Sequence, residues 1–132
     1  MDASFETTDA WKMARMLTHL VYDYCRRDPL AHDFGLRDQL QRAAVSVMNN
    51  VAEGWESMHT LEKRQAYNYA RRSCGEVRSM GYVLLDNKFI SIAEHARLTS
   101  LCVQSGKLVS GLIRTQRNRQ VRDPKSQAQD PS

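Results

Sequence analysis

Arg64, Arg71 and Arg78 recur every seven residues, and Tyr82 continues their line. On a helix of about 3.6 residues per turn that spacing keeps all four on one face. Guanidinium groups in such a row can neutralise phosphates, and a tyrosine beside them can stack on an unpaired base. Lys63, Arg72 and Lys88 widen the charge. Further on, Lys107 and Arg114 share an outer face, followed by Arg117, Arg119, Arg122 and Lys125. From Lys107 to Lys125 there are six basic residues and one acid, Asp123. Outer charges often serve solvation alone, and basic residues late in a helix complement its dipole. The pattern therefore permits nucleic-acid contact without demanding it, as does the net charge of +4.

A second polar group lies between residues 39 and 53. Taking about 100° per residue, Gln39, Arg42, Ser46, Asn49, Asn50 and Glu53 form one stripe. It reads either as a ligand site or as a hydrogen-bond network that sets helix register. The network is preferred, because buried polar groups must be paired whatever the function. Arg42 is expected to pair with Glu53 or Glu76, since a guanidinium grips a carboxylate through two parallel hydrogen bonds.

Catalytic constellations are weak in the sequence. His19, His32, His59 and His95 are scattered, Ser46 lacks a GxSxG setting, and no glycine-rich phosphate loop exists. Cys25, Cys74 and Cys102 are isolated, with no CxxC pair. Reduced, buried thiols in a cytosol are expected rather than zinc or disulfide frameworks. The expectation is a protein that is not an enzyme and needs no cofactor or metal.

The elements that must position these residues are helical throughout. The first runs from about Asp9 to Arg27 on a stripe of Ala10, Met13, Ala14, Leu17, Leu20, Val21 and Tyr24, with Thr8 as N-cap and Pro29 closing it. The second runs from about Leu36 to Glu56. The third runs from about Leu61 to Asp86 with Thr60 as N-cap, on Ala66, Ala70, Ser73, Val77, Met80 and Leu84. The fourth opens on a capping box, Ser91-Ile92-Ala93-Glu94, and continues through Leu98, Leu101, Cys102, Ser105, Leu108, Val109, Leu112 and Ile113. Gly75, Gly81, Gly106 and Gly111, inside helices, are expected to mark close helix approach. Short links make sequential helices antiparallel neighbours, so the fold class is all-α, an antiparallel up-down four-helix bundle. The division is an arm over 1–8, the bundle over 9–119 and a disordered polar tail over 120–132.

The second helix carries more apolar surface than one core can use. Leu36, Leu40, Ala43, Val47 and Val51 fall on one side; Val45, Met48, Ala52 and Trp55 fall on another. The second face calls for another copy of the chain, with Trp55 the leading subunit contact. An oligomer would repeat the basic patches over its surface and raise avidity. The N-terminal residues are acidic, unlike a signal peptide, and no apolar run nears the roughly 18 residues of a membrane span. A soluble cytoplasmic protein with no membrane partner is expected.

Arg42-Ala43-Ala44-Val45-Ser46, followed by Asn50-Val51-Ala52-Glu53-Gly54, resembles the signature of the four-helix-bundle proteins encoded in intervening sequences of bacterial 23S ribosomal RNA genes. Trp11, Ala14 and Tyr22, then Gly35-Leu36, then Ala70, Ser73 and Glu76 extend the resemblance, which covers about residues 5 to 113. The family's proline between the serine and the asparagine is replaced here by Met48-Asn49. The resemblance implies a ring-shaped homopentamer without catalytic activity. A related bundle is the accessory subunit of diversity-generating retroelements, where it partners a reverse transcriptase and nucleic acid. The expected function is a non-enzymatic scaffold binding RNA or a nucleoprotein; the alternative is a protein-recruitment scaffold, such as a reverse-transcriptase accessory subunit.

Overall fold

The computed structural model describes residues 4–122. Among them are four long helices and no strand: α1 (Asp9–Cys25), α2 (Phe34–Glu56), α3 (Thr60–Asp86) and α4 (Ile92–Arg122). Short 3-10 turns at Phe5–Thr7 and Leu30–His32 precede α1 and α2.

Local chemistry sets the helix ends. The Thr8 hydroxyl accepts a hydrogen bond from the Trp11 amide at 3.2 Å, starting α1. The Asp33 carboxylate does the same for the Leu36 amide at 3.3 Å, so α2 begins two residues before its expected start. Thr60 was expected as the N-cap of α3 but is its first helical residue; the cap is His59, whose side chain makes no capping bond. The capping box forms at α4: the Ser91 amide donates to Glu94 Oε1 at 2.9 Å, and the Glu94 amide donates to Ser91 Oγ at 3.1 Å. α3 ends with Lys88 in the left-handed region, φ 61°. The Phe89 amide reaches the Leu84 carbonyl and the Lys88 amide the Leu85 carbonyl, which satisfies carbonyls the helix end leaves open.

The helices pack in a closed square, α1 on α2, α2 on α3, α3 on α4 and α4 on α1. Neighbours run antiparallel, as contacts between opposite ends show. Arg27 and Tyr24 at the end of α1 reach Glu94 at the start of α4. Lys63, early in α3, donates to the carbonyls of Gly54 and Trp55, late in α2, at 2.9 and 2.8 Å.

The expected apolar stripes meet inside. Leu17, Val21, Leu40, Val47, Val77, Leu84 and Leu98 form the larger cluster; Val51, Tyr67, Ala70, Val109 and Ile113 fill the other end. Burying a leucine or valine side chain stabilises by roughly 1.5–3 kcal/mol, so these stripes dominate the fold. α4 continues as helix to Arg122, three residues past the expected limit of the bundle, and buries Gln116 and Gln120. The remainder of the expected tail, 123–132, and residues 1–3 of the arm lie outside the described residues. No helix of the described residues is long and apolar enough to cross a membrane.

Candidate nucleic-acid interface

The basic row on α3 reaches solvent at Arg71, Arg78 and Tyr82, with Arg71 and Arg78 on the side of the helix toward α4. α3 has two neighbours, so its buried arc is wide and its outward arc narrow. The row falls on the shoulder beside α4. Arg71 and Arg78 line one wall of a groove between α3 and α4, and Lys107 and Arg114 line the other. Cys74, Gly75, Gly106 and Ser110 line it with them, and the groove holds about 600 Å³. It continues toward the start of α3 as a second hollow of about 380 Å³, where Arg64 and Arg71 meet Arg117.

Among the described residues, six basic side chains and no aspartate or glutamate line this continuous surface. Arg71, Arg78, Lys107, Arg114 and Arg117 are exposed, and no carboxylate of the described residues pairs with them within 4.0 Å. Arg71 also donates to Asn68 Oδ1 at 3.1 Å. Arg64 differs: it is half-buried and donates to Gln120 Oε1, so it ties α3 to α4. Lys63 is likewise engaged, on the last carbonyls of α2. Arg119 lies outside the groove, its charge felt by Lys63 and Tyr67. Tyr82 stands beyond Arg78, half exposed, its ring edge-on to His95 with centroids 4.7 Å apart.

The glycines divide sharply. An added Cβ at Gly81 would meet Leu98 at 3.2 Å, a close helix approach as expected. At Gly75 and Gly106 nothing lies within 4 Å, so close approach does not explain them. Both residues border the basic groove.

The polar stripe of α2 is built differently. Ser46 Oγ and Ser73 Oγ are 2.8 Å apart, and Asn50 Nδ2 donates to the Ser46 carbonyl and hydroxyl at 2.9 and 3.0 Å. Arg42 is not part of this network. It is exposed and pairs with neither Glu53 nor Glu76, which corrects the expected lock. Arg42, Glu53 and Glu76 all extend into solvent, and although Arg42 and Glu76 border one hollow their charged groups stay more than 4.0 Å apart. Two hollows flank this stripe, and each carries a carboxylate beside Arg42: Asp38 and Glu53 in one, Glu76 in the other. Mixed charge makes them poorer phosphate sites than the α3–α4 groove.

Val45, Met48, Ala52 and Trp55 are all half-buried within the single chain. Met48 already packs against the core, so part of the second apolar face of α2 is covered without another copy.

The thiols are buried, and burial pushes Cys25 and Cys74 up to about 11 and Cys102 to about 12. Thiolate chemistry at neutral pH is thereby suppressed. Among the described residues no three His, Cys, Asp or Glu side chains converge to hold a metal ion.

These features define an all-α bundle with a cationic groove between α3 and α4. The chain belongs to the 23S rRNA-intervening sequence protein family, whose profile matches residues 6–111. No curated protein matches the chain.

Proposed function

We propose that this protein is a non-enzymatic cytoplasmic scaffold that assembles into a ring-like homo-oligomer and binds RNA or a nucleoprotein through its α3–α4 groove. One observation carries the reading: residues from two helices bring six basic side chains to a single surface that no carboxylate of the described residues lines. Phosphate neutralisation by such a surface releases counterions and is blind to sequence. Repetition around an oligomer converts weak single contacts into avid binding.

Charge reversal at Arg71, Arg78 and Arg114 tests the site. Affinity for unrelated RNAs should fall alike, and native binding should weaken steeply as salt rises. Failure of the native protein to bind any RNA at low salt would leave protein recruitment as the function. Assembly is tested separately. Charged residues at Met48 and Trp55 should give smaller particles by light scattering with helicity retained; an unchanged mass would remove α2 from the interface.

A further inference from the structure

We infer that the α3–α4 groove is a channel for one unpaired RNA strand, laid along the helices and ending on Tyr82. This rests on the reading that the groove binds RNA. What it adds is the form of the RNA, and that comes from the groove's floor and its end.

Gly75 and Gly106 sit in the interiors of α3 and α4, where glycine weakens a helix relative to alanine. Gly54 and Gly81 have a packing reason, because an added Cβ there would strike Tyr67 or Leu98. Gly75 and Gly106 have none, since the space above each is open. That space belongs to the groove, with Arg71 and Arg78 on one side and Lys107 and Arg114 on the other. Missing side chains at two facing positions keep the groove deep between cationic rims. Such a shape lets a ligand approach the helix backbones closely.

The width of the groove selects the ligand. It lies between adjacent helices, whose axes are separated by roughly 8–10 Å in packed bundles. A single sugar-phosphate backbone can sit down in such a trough. A duplex would rest on the rims and leave the floor empty, so it would gain nothing from the glycines. From Arg64 to Arg78 the groove and its continuation follow about 21 Å of helix, room for a few nucleotides of extended strand, and Tyr82 lies one turn further along α3. One turn beyond Arg78, Tyr82 is half exposed and braced edge-on by His95. Only an unpaired base presents a free face to such a ring.

The test compares a short labelled uridine oligonucleotide with a blunt RNA hairpin closed by a non-nucleotide linker, of equal phosphate number, by fluorescence anisotropy at several salt concentrations. Gly75→Gln with Gly106→Gln plugs the trough without altering charge and replaces glycine by a better helix former. The plug should weaken oligonucleotide binding about tenfold or more and leave the hairpin nearly unchanged. Tyr82→Ala should weaken the oligonucleotide about tenfold, in the range of a lost base–aromatic stack. Circular dichroism and light scattering must match the native protein in each case. Native-like oligonucleotide binding by both variants, with both RNAs lost on charge reversal, would overturn the channel and keep phosphate binding. No binding of either RNA by the native protein at low salt would remove both readings together.

Discussion

The buried ring of Tyr67 on α3 packs against the backbone of Gly54 on α2, in the space a side chain at position 54 would need. An added Cβ there would lie 2.7 Å from Tyr67 Cδ1 and closer still to Cε1. Tyr67 is 1% exposed, so the ring has little room to retreat. Lys63 reinforces the joint by donating to the Gly54 and Trp55 carbonyls. The glycine that closes the Asn50–Gly54 motif is thus explained by the helix it meets.

Gly54→Ala should therefore destabilise the protein. Overpacking a tight contact costs about 1–3 kcal/mol, against about 1 kcal/mol that alanine gains in helix propensity. Gly75→Ala and Gly106→Ala, with open space above them, should each stabilise by up to about 1 kcal/mol. Urea unfolding of the three variants decides it; equal and stabilising effects at all three would deny the Tyr67 contact.

Arg42→Ala should change stability by no more than about 0.5 kcal/mol, as for an exposed residue without a partner. Ser46→Ala should cost more, about 1–3 kcal/mol, because it strips a partner from buried Ser73 and from Asn50. Thermal melts of both variants give the order. A large loss at Arg42 would show that assembly brings a carboxylate against it.

Glu94 should make stability depend on acid. Its carboxyl is held below its ordinary value, first by the hydrogen bond from the Ser91 amide and then by Arg27. A depressed folded-state value means the stabilisation is present above the unfolded value, near pH 4.3, and is lost as pH falls through the folded one. Glu94→Gln keeps a capping side chain but not the charge. The native protein should be the more stable at pH 7, and the gap should narrow as pH falls below the unfolded value and close once the folded carboxyl is protonated, as followed by denaturant melts across pH. A gap independent of pH would mean the ionised carboxylate contributes nothing.

The three thiols should be silent toward a disulfide reagent at pH 7.5 in the folded protein and react fully in denaturant. Burial raises all three well above neutrality. Rapid labelling of a native thiol, followed by mass spectrometry, would show that its site opens easily.

Much of the architecture was legible because it depends on local rules. Three- and four-residue spacing of Leu17, Val47, Val77 and Val109 marks helix faces that must be buried, and all four are fully buried. Thr8 and the Ser91–Glu94 box mark helix starts through bonds made within a single turn. Arg42 was misread because its pairing depended on where another helix lies. Gln116 and Gln120, polar yet buried, carried no sequence signal, since a glutamine late in a helix normally faces water.

By itself the sequence determined the helices, their apolar faces, the antiparallel order imposed by short links, and the heptad row of Arg64, Arg71 and Arg78. Each follows from backbone geometry within a few turns. The tertiary structure alone decided that α4 would lie beside this row, so that Lys107, Arg114 and Arg117 face it across a groove bordered by Gly75 and Gly106. It also decided that Arg64 would be held by Gln120 while Arg71 and Arg78 stayed exposed. The physical reason is that periodicity specifies a direction around one helix axis, whereas the partner met in that direction is chosen by the packing of all four.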